Sequence, residues 1–378
     1  MTLIAIEAAR PNRAQKTGTE WYGFHVIQEM KKIADPKDQF ILYTNKPLHS
    51  GLEKMPADNW REKRLKWPLS RFWTQGRLSL EMLFKAPDVL YIPAHAMPVI
   101  HPKKTVVTLH DVGFERYPEL YPKPDLWYHR WSVGYTISQA VKIITVSNFS
   151  KDELIKFYQI PPEKIEVTHL GYDAENYKVI DDKVRIDSVL KKYNIKKPYI
   201  FYIGRLEPKK NSLLLIEAFG RYKQKHKDDQ VSLVLVGRPG FNYIKIRKQV
   251  AQCIEKYNLE KWIVRTGWIP EAEVPYIYNG AACFVFPSAY EGFGIPLLEA
   301  MACGTPVLSS RAASLPEVGQ DAVMYFETHE VESLVQGLKK ILHDPALQTA
   351  LREKGFQRVK NFSWRKTAQQ TLDILKSV

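Results

Sequence analysis

Short apolar blocks recur along this 378-residue chain. Between them lie longer segments in which apolar residues return every three or four positions. Blocks such as Tyr199-Ile200-Phe201-Tyr202-Ile203 and Cys283-Phe284-Val285-Phe286 are apolar at every position, as strands buried on both faces of a parallel sheet are. The pattern predicts strands over 3–8, 40–43, 89–92, 105–109 and 143–146 in the first half. In the second half it predicts them over 199–203, 232–236, 263–265, 283–286 and 307–308. Helices are predicted over 21–33, 125–140, 151–157, 212–225, 244–257 and 273–280. Strand and helix alternate throughout, so the fold class is α/β, with two Rossmann-like parallel-sheet domains facing a central cleft. The charged, weakly apolar stretch 181–198 reads as a linker, since Pro198 then opens a new buried block. It separates an N-terminal domain, 1–180, from a C-terminal domain, 199–362, and 363–378 reads as an amphipathic last helix.

The most specific chemistry sits between the predicted strands 283–286 and 307–308. Glu291 and Glu299 flank the turn Gly292-Phe293-Gly294-Ile295, which opens a helix. Gly292 and Gly294 carry no side chain and let a ligand approach the backbone. Pro296 suits the first helical position, where its missing N–H costs nothing. The N–H groups of Phe293, Gly294 and Ile295 would then form an anion site at a helix start. Glu299, three residues after Pro296, can accept two ribose hydroxyls, and Glu291 can accept hydroxyls of a second sugar. The alternative is a solvated loop acid and a helix-start acid favoured by the dipole.

A second cluster follows the predicted strand 199–203. Arg205 offers a planar fork for phosphate oxygens and Lys210 a point charge, with Lys209 as its neighbour. Two cations at a strand end can stabilise the charge that builds on a leaving diphosphate. The alternative is a basic, solvated turn. His110 stands at the end of the predicted strand 105–109, a position that is equally often structural. The turn before the first helix holds Thr17-Gly18-Thr19, where Thr19 can cap that helix instead of touching a ligand.

The stretch from Glu291 to Glu299 resembles the paired-glutamate signature of retaining glycosyltransferases of the GT-B fold, in their fourth sequence family. Gly304-Thr305-Pro306-Val307, Leu315-Pro316-Glu317 and the Gly204-Arg205 to Lys210-Asn211 stretch resemble the same family, and the likeness spans nearly the whole chain. The resemblance implies transfer of a hexose, of mannose or glucose type, from a nucleoside diphosphate sugar to a hydroxyl of a glycan or lipid-linked acceptor. It implies that the N-terminal domain binds the acceptor and the C-terminal domain the donor, and that the last helix crosses back to the N-terminal domain. By the same likeness His110 contacts the primary hydroxyl of the donor sugar, without being a nucleophile. Arg205 and Lys210 hold the diphosphate, Gly18 approaches it from the other domain, and the base lies among Gly237, Arg238 and Trp268. Retention implies a front-face route in which the departing phosphate oxygen takes the acceptor proton. The family often shows two glycines where this chain has Thr17-Gly18, which puts the Gly18 contact in doubt. No Asp-x-Asp metal box is apparent, so no metal is expected and the two cations take its place.

Composition adds bounds. Apolar content of 45% and charged content of 25% are those of a globular protein. No apolar run reaches the roughly 18 residues of a membrane span, and Met1 to Glu7 reads as a strand, not a secretory signal. Cys253, Cys283 and Cys303 lack metal-ligand spacing and point to a reducing cytoplasm. The net charge of +14 calls for an anionic partner. No nucleic-acid signature is present, so none is expected there. An anionic membrane surface, with peripheral contact at the inner face, explains the charge together with the donor phosphates. The stretch 59–85 is basic and aromatic, and reads either as that membrane contact or as a partly buried helix with a charged outer face. A GT-B epimerase and a non-catalytic sugar-nucleotide binder remain as alternative functions.

Overall fold

Seven strands of the first half pair as one parallel sheet. A computed structural model describes residues 2–69, 72–240 and 243–378. The strands are β1 (Leu3–Glu7), β2 (Gln39–Thr44), β3 (Trp60–Arg64), β4 (Val89–Ile92), β5 (Thr105–Thr108), β6 (Lys142–Thr145) and β7 (Ile165–Val167). Their order is β3-β2-β1-β4-β5-β6-β7, with Ile4 beside both Phe40 and Val89. Ile4, Ala5 and Ile6 are wholly buried, as a central strand covered on both faces requires. The helix Trp364–Ser377 belongs to this unit, which comprises Met1–Gly171 and Ser363–Val378. It packs on the helix Gly18–Ile33 and is tied by Thr367 Oγ1 donating to His169 O (2.7 Å) and by a Lys376–Asp38 ion pair (2.7 Å).

The second unit, Tyr172–Phe362, holds a parallel sheet of β8 (Tyr199–Ile203), β9 (Ser232–Val236), β10 (Ile263–Gly267), β11 (Cys283–Phe286), β12 (Val307–Ser310) and β13 (Met324–Phe326). Their order is β10-β9-β8-β11-β12-β13. The winding reverses between β8 and β11, the switch point outside whose strand ends open α/β sheets bind ligands. Both motif loops, 204–211 and 287–294, leave the sheet there.

Two expectations are corrected. The stretch 181–198, read as a linker, contains the helix Lys183–Lys192 inside the second unit. Its Ile186, Val189 and Leu190 are buried and pack on the helix Val274–Gly280. The surrounding lysines had hidden that i, i+3, i+4 stripe. The stretch 59–85 is not one helix. It holds the strand β3, a π-helical segment Trp73–Leu78 and a short helix Ser79–Lys85, while Arg71 lies outside the described residues. Trp60 is buried flat against Phe40 (4.1 Å), and buried Trp73 donates to Leu65 O (2.9 Å). Part of the aromatic signal in that stretch is therefore core. Among the described residues no helix is long and apolar enough to cross a membrane.

Candidate active site

The loop after β8 and the loop after β11 meet at the switch point. The amide of Ala289 donates to the carbonyl of Lys209 (2.8 Å) and locks the two together. One residue on, Lys210 Nζ donates to Glu291 Oε1 at 2.5 Å, and the ammonium lies over the Phe286 ring (5.8 Å). Both side chains are partly exposed, 18% and 14%, so a polar ligand can reach either. Lys209 instead faces Glu207 (3.8 Å). Asn211, in the left-handed region, caps the 3-10 turn Pro208–Lys210 and opens the helix Ser212–Lys225. Arg205 is exposed on the same loop, its carbonyl accepting from the Glu207 amide (3.0 Å).

The glutamate loop is built on serines. The buried Ser314 hydroxyl lies 2.8 Å from the Phe293 carbonyl and 2.9 Å from that of Glu291. Ser310 Oγ donates to Ser288 O at 2.5 Å. Gly294 has φ +111°, a conformation that favours glycine, and a Cβ there would lie 2.7 Å from Leu315 Cδ2, a side-chain tip that would have to shift. The helix begins at Ile295, which makes Pro296 its second residue where the sequence suggested the first. Phe293 is buried against Phe362 (5.8 Å).

Glu299 lies within that helix and accepts from the Tyr278 hydroxyl (3.2 Å). Burial pushes its carboxyl up to about 8, and nearby Glu271 and Asp173 add to the rise. At neutral pH without ligand it is therefore largely protonated, unlike the carboxylate expected from the sequence. The unfolded chain ionises this acid near 4.5 while the fold holds the proton to about 8, so its contribution to stability is complete below 4.5 and is lost as pH rises through 8. Glu299→Gln is accordingly expected to unfold at higher denaturant than the natural chain at pH 9, by on the order of 1–4 kcal/mol, with the gap closing below pH 4.5. Urea titrations across that range check it; a gap independent of pH contradicts it.

At the far side of β8, a Cβ on Gly237 would lie 1.8 Å from the Gly204 carbonyl oxygen. The Gly237 amide donates to Gly267 O (2.9 Å), so the ends of β8, β9 and β10 are knitted together. Beyond them the Arg238 guanidinium lies over the Trp268 ring (4.7 Å), and Trp268 is exposed. The site residues of the second unit thus form two groups on one rim: Lys210 with Glu291, and Arg238 with Trp268. Glu207, Tyr278, Ser310 and Ser314 escaped the sequence reading. The serines at 309–314 signalled Ser310 and Ser314, whereas nothing local marked Tyr278, whose partner Glu299 lies 21 residues on.

His110 and Gly18 belong to the first unit. His110 is buried just past β5, and its Nε2 lies 3.0 Å from the Pro93 carbonyl. A carbonyl only accepts, so Nε2 carries the proton and Nδ1 is left as an acceptor. Burial holds the imidazole below its usual range, hence neutral. Its neighbours are the edge-on Tyr22 ring (4.7 Å) and the His95 ring (5.4 Å), whose own pKa burial and His110 lower to about 3. Asp111 accepts from the Gly113 amide (2.9 Å). The cap of the first helix is Thr17, in a box with Glu20, and not Thr19. Gly18 is the first helical residue, and a Cβ there would meet nothing within 4 Å.

Two doubly covered parallel sheets and a strand-end rim of paired Lys and Glu define a GT-B glycosyltransferase. Residues 186–358 match the model of glycosyl transferases group 1, and residues 42–176 that of Glycosyltransferase Family 4. O-antigen chain mannosyltransferase B of Escherichia coli is 32% identical over 275 residues, 72% of this chain and 70% of that protein. Sucrose-phosphate synthase of Thermosynechococcus elongatus superposes with a TM-score of 0.77 at 19% identity, covering 100% of this chain and 99% of its own. Anabaena HepE, in a structure with UDP and glucose, gives 0.76 at 17% identity with both chains fully covered. The chain belongs to glycosyltransferase family 4.

Proposed function

We propose that the chain transfers mannose from a nucleoside diphosphate sugar, with retention, to a hydroxyl of a glycan or lipid-linked acceptor. The observation that carries the reading is the Lys210–Glu291 pair at the switch point of the second sheet. The O-antigen mannosyltransferase kinship favours mannose over glucose. In this reading the ribose hydroxyls meet Glu299, the base lies by Arg238 and Trp268, and the diphosphate sits at the 292–295 turn. Arg205 and Lys210 meet its charge in place of a metal ion. Glu291 holds Lys210 in position and accepts a hydroxyl of the donor sugar, while His110 Nδ1 accepts from its primary hydroxyl. Gly18 belongs to the same donor set through its backbone. The bond between the anomeric carbon and the phosphate oxygen breaks as the acceptor oxygen attacks from the same face. The departing oxygen takes the acceptor proton, so no protein base is required. Closing out water protects the cation-like sugar.

The test is incubation with GDP-mannose and UDP-glucose, each with and without a mannose-terminated oligosaccharide. The expected result is acceptor-dependent nucleotide release from GDP-mannose and an α-linked product by NMR. Conversion of the donor to another sugar nucleotide without acceptor would establish the epimerase reading, and binding without release the non-catalytic one.

A further inference from the structure

The His110 imidazole is held at Nε2 by the Pro93 carbonyl. The side-chain torsion that turns an imidazole is a broad one, so a ring fixed at one atom can still rock. Tyr22 supplies a second constraint. It is wholly buried and meets the imidazole edge-on, with ring centroids 4.7 Å apart and planes at 88°. His95, a further ring neighbour, is 5.4 Å away and tilted by 57°.

Tyr22 is itself fixed at both ends. Its backbone belongs to the helix Gly18–Ile33. Its hydroxyl lies 2.8 Å from the Tyr91 hydroxyl and 3.2 Å from Thr108 Oγ1, and Tyr91 and Thr108 are hydrogen-bonded to each other (2.9 Å). Tyr91 stands on β4 two residues before Pro93, and Thr108 ends β5 two residues before His110. The ring is therefore pinned to the two strands that deliver the imidazole and its carbonyl acceptor. A satisfied buried network of this kind rigidifies what it holds. The next helical residue seats the ring further. A Cβ on Gly23 would lie 2.5 Å from Pro11 Cγ and 3.4 Å from Pro93 Cγ, so the helix comes closer to the Pro93 turn than a side chain would allow. Trp364 of the last helix also meets the Tyr22 ring (6.2 Å) and stacks on His25 (4.9 Å).

We propose that Tyr22 is a positioning residue, whose ring holds the His110 imidazole in the orientation that presents Nδ1 to the primary hydroxyl of the donor sugar. This rests on the reading in which Nδ1 accepts from that hydroxyl. Tyr22 touches no substrate and acts through His110 alone. A misplacement of about 1 Å can cost on the order of 100-fold in rate, so a loosened imidazole has a measurable effect.

The test is a double-mutant cycle read by GDP-mannose turnover. Tyr22→Leu is expected to lower kcat/KM for the donor by about 10- to 100-fold, with the acceptor KM within about twofold. In a His110→Ala background the same substitution should cost no more than about twofold, because the ring then has nothing to hold. Tyr22→Phe keeps the ring, and Tyr91 and Thr108 keep each other as partners, so it should stay within about threefold of the natural chain. A purely structural role gives additive losses instead. Tyr22→Met takes the place of Tyr22→Leu in the cycle if the leucine variant does not fold. Additive losses, a Tyr22→Leu variant within about threefold of the natural chain, or a Tyr22→Phe variant as slow as Tyr22→Leu would each overturn the proposal. A natural chain that turns over no donor, or a His110→Ala variant as active as the natural chain, fails the reading of His110 itself and takes the role of Tyr22 with it.

Discussion

Lys210→Ala is expected to lower kcat by about 10²–10³-fold, the loss seen when one fixed donor to a developing charge is removed. The lysine is held by Glu291 at 2.5 Å, at the strand end where a diphosphate would depart. Its ammonium is already oriented before the reaction, so no reorganisation is spent at the transition state. An interaction made with the leaving group alone acts on kcat more than on KM. Stability should change far less. Both partners are partly exposed, and Glu291 can take up water when the lysine is gone, so the cost lies nearer the roughly 1 kcal/mol of a solvent-reached pair than the roughly 3–5 kcal/mol of a fully buried one. Nucleotide release with saturating donor and acceptor, measured beside a thermal melt, separates the two effects. A variant within about threefold of the natural kcat would remove Lys210 from the leaving-group site.

Gly237→Ala should act through the fold instead. The added carbon would sit 1.8 Å from the Gly204 carbonyl oxygen, and that oxygen is backbone, so no side-chain rotation relieves the clash. Separating β8 from β9 at their ends also breaks the Gly204 amide bond to Val236 (3.0 Å) and strains the Gly237 amide bond to Gly267 of β10. A loss above about 3 kcal/mol follows from backbone overlap and broken hydrogen bonds together. For a unit of this size that is a fall of roughly 6–12 °C in melting temperature. Donor affinity should fall as well, since the loops carrying Arg205 and Arg238 both start at this junction. An alanine variant that melts with the natural chain would show that the two strand ends can part at no cost.

Legibility varied with burial. Tyr199–Ile203, Ser232–Val236 and Cys283–Phe286 appear with the bounds read from the sequence, as does the helix Ser212–Lys225. Each is an apolar segment cut off sharply by glycine, proline or asparagine. The strands missed were β3, β7 and β13, which lie at or beside sheet edges. Trp60–Arg64 is charged at four of its five positions and becomes a strand because β2 lies beside it. Pairing across the sheet supplied what local pattern lacked. The helix Lys183–Lys192 failed for a similar reason, since its narrow apolar stripe has meaning only against the helix Val274–Gly280.

The twin glutamates, the Gly-Arg to Lys-Asn turn and the strand-ending glycines were readable because short turns constrain residue type at fixed spacing. Their alternation with apolar blocks also sufficed for two parallel α/β sheets and for the family. What a linear order cannot carry is the meeting of groups distant along the chain. Only the folded chain chose Lys210 over Lys209 as the partner of Glu291, 81 residues away. Only there do Asp173, Glu271 and Tyr278 surround Glu299 and keep its proton on. Distances between charges and the water removed from them set such energies, and both come into existence when the second unit folds and brings its loops together.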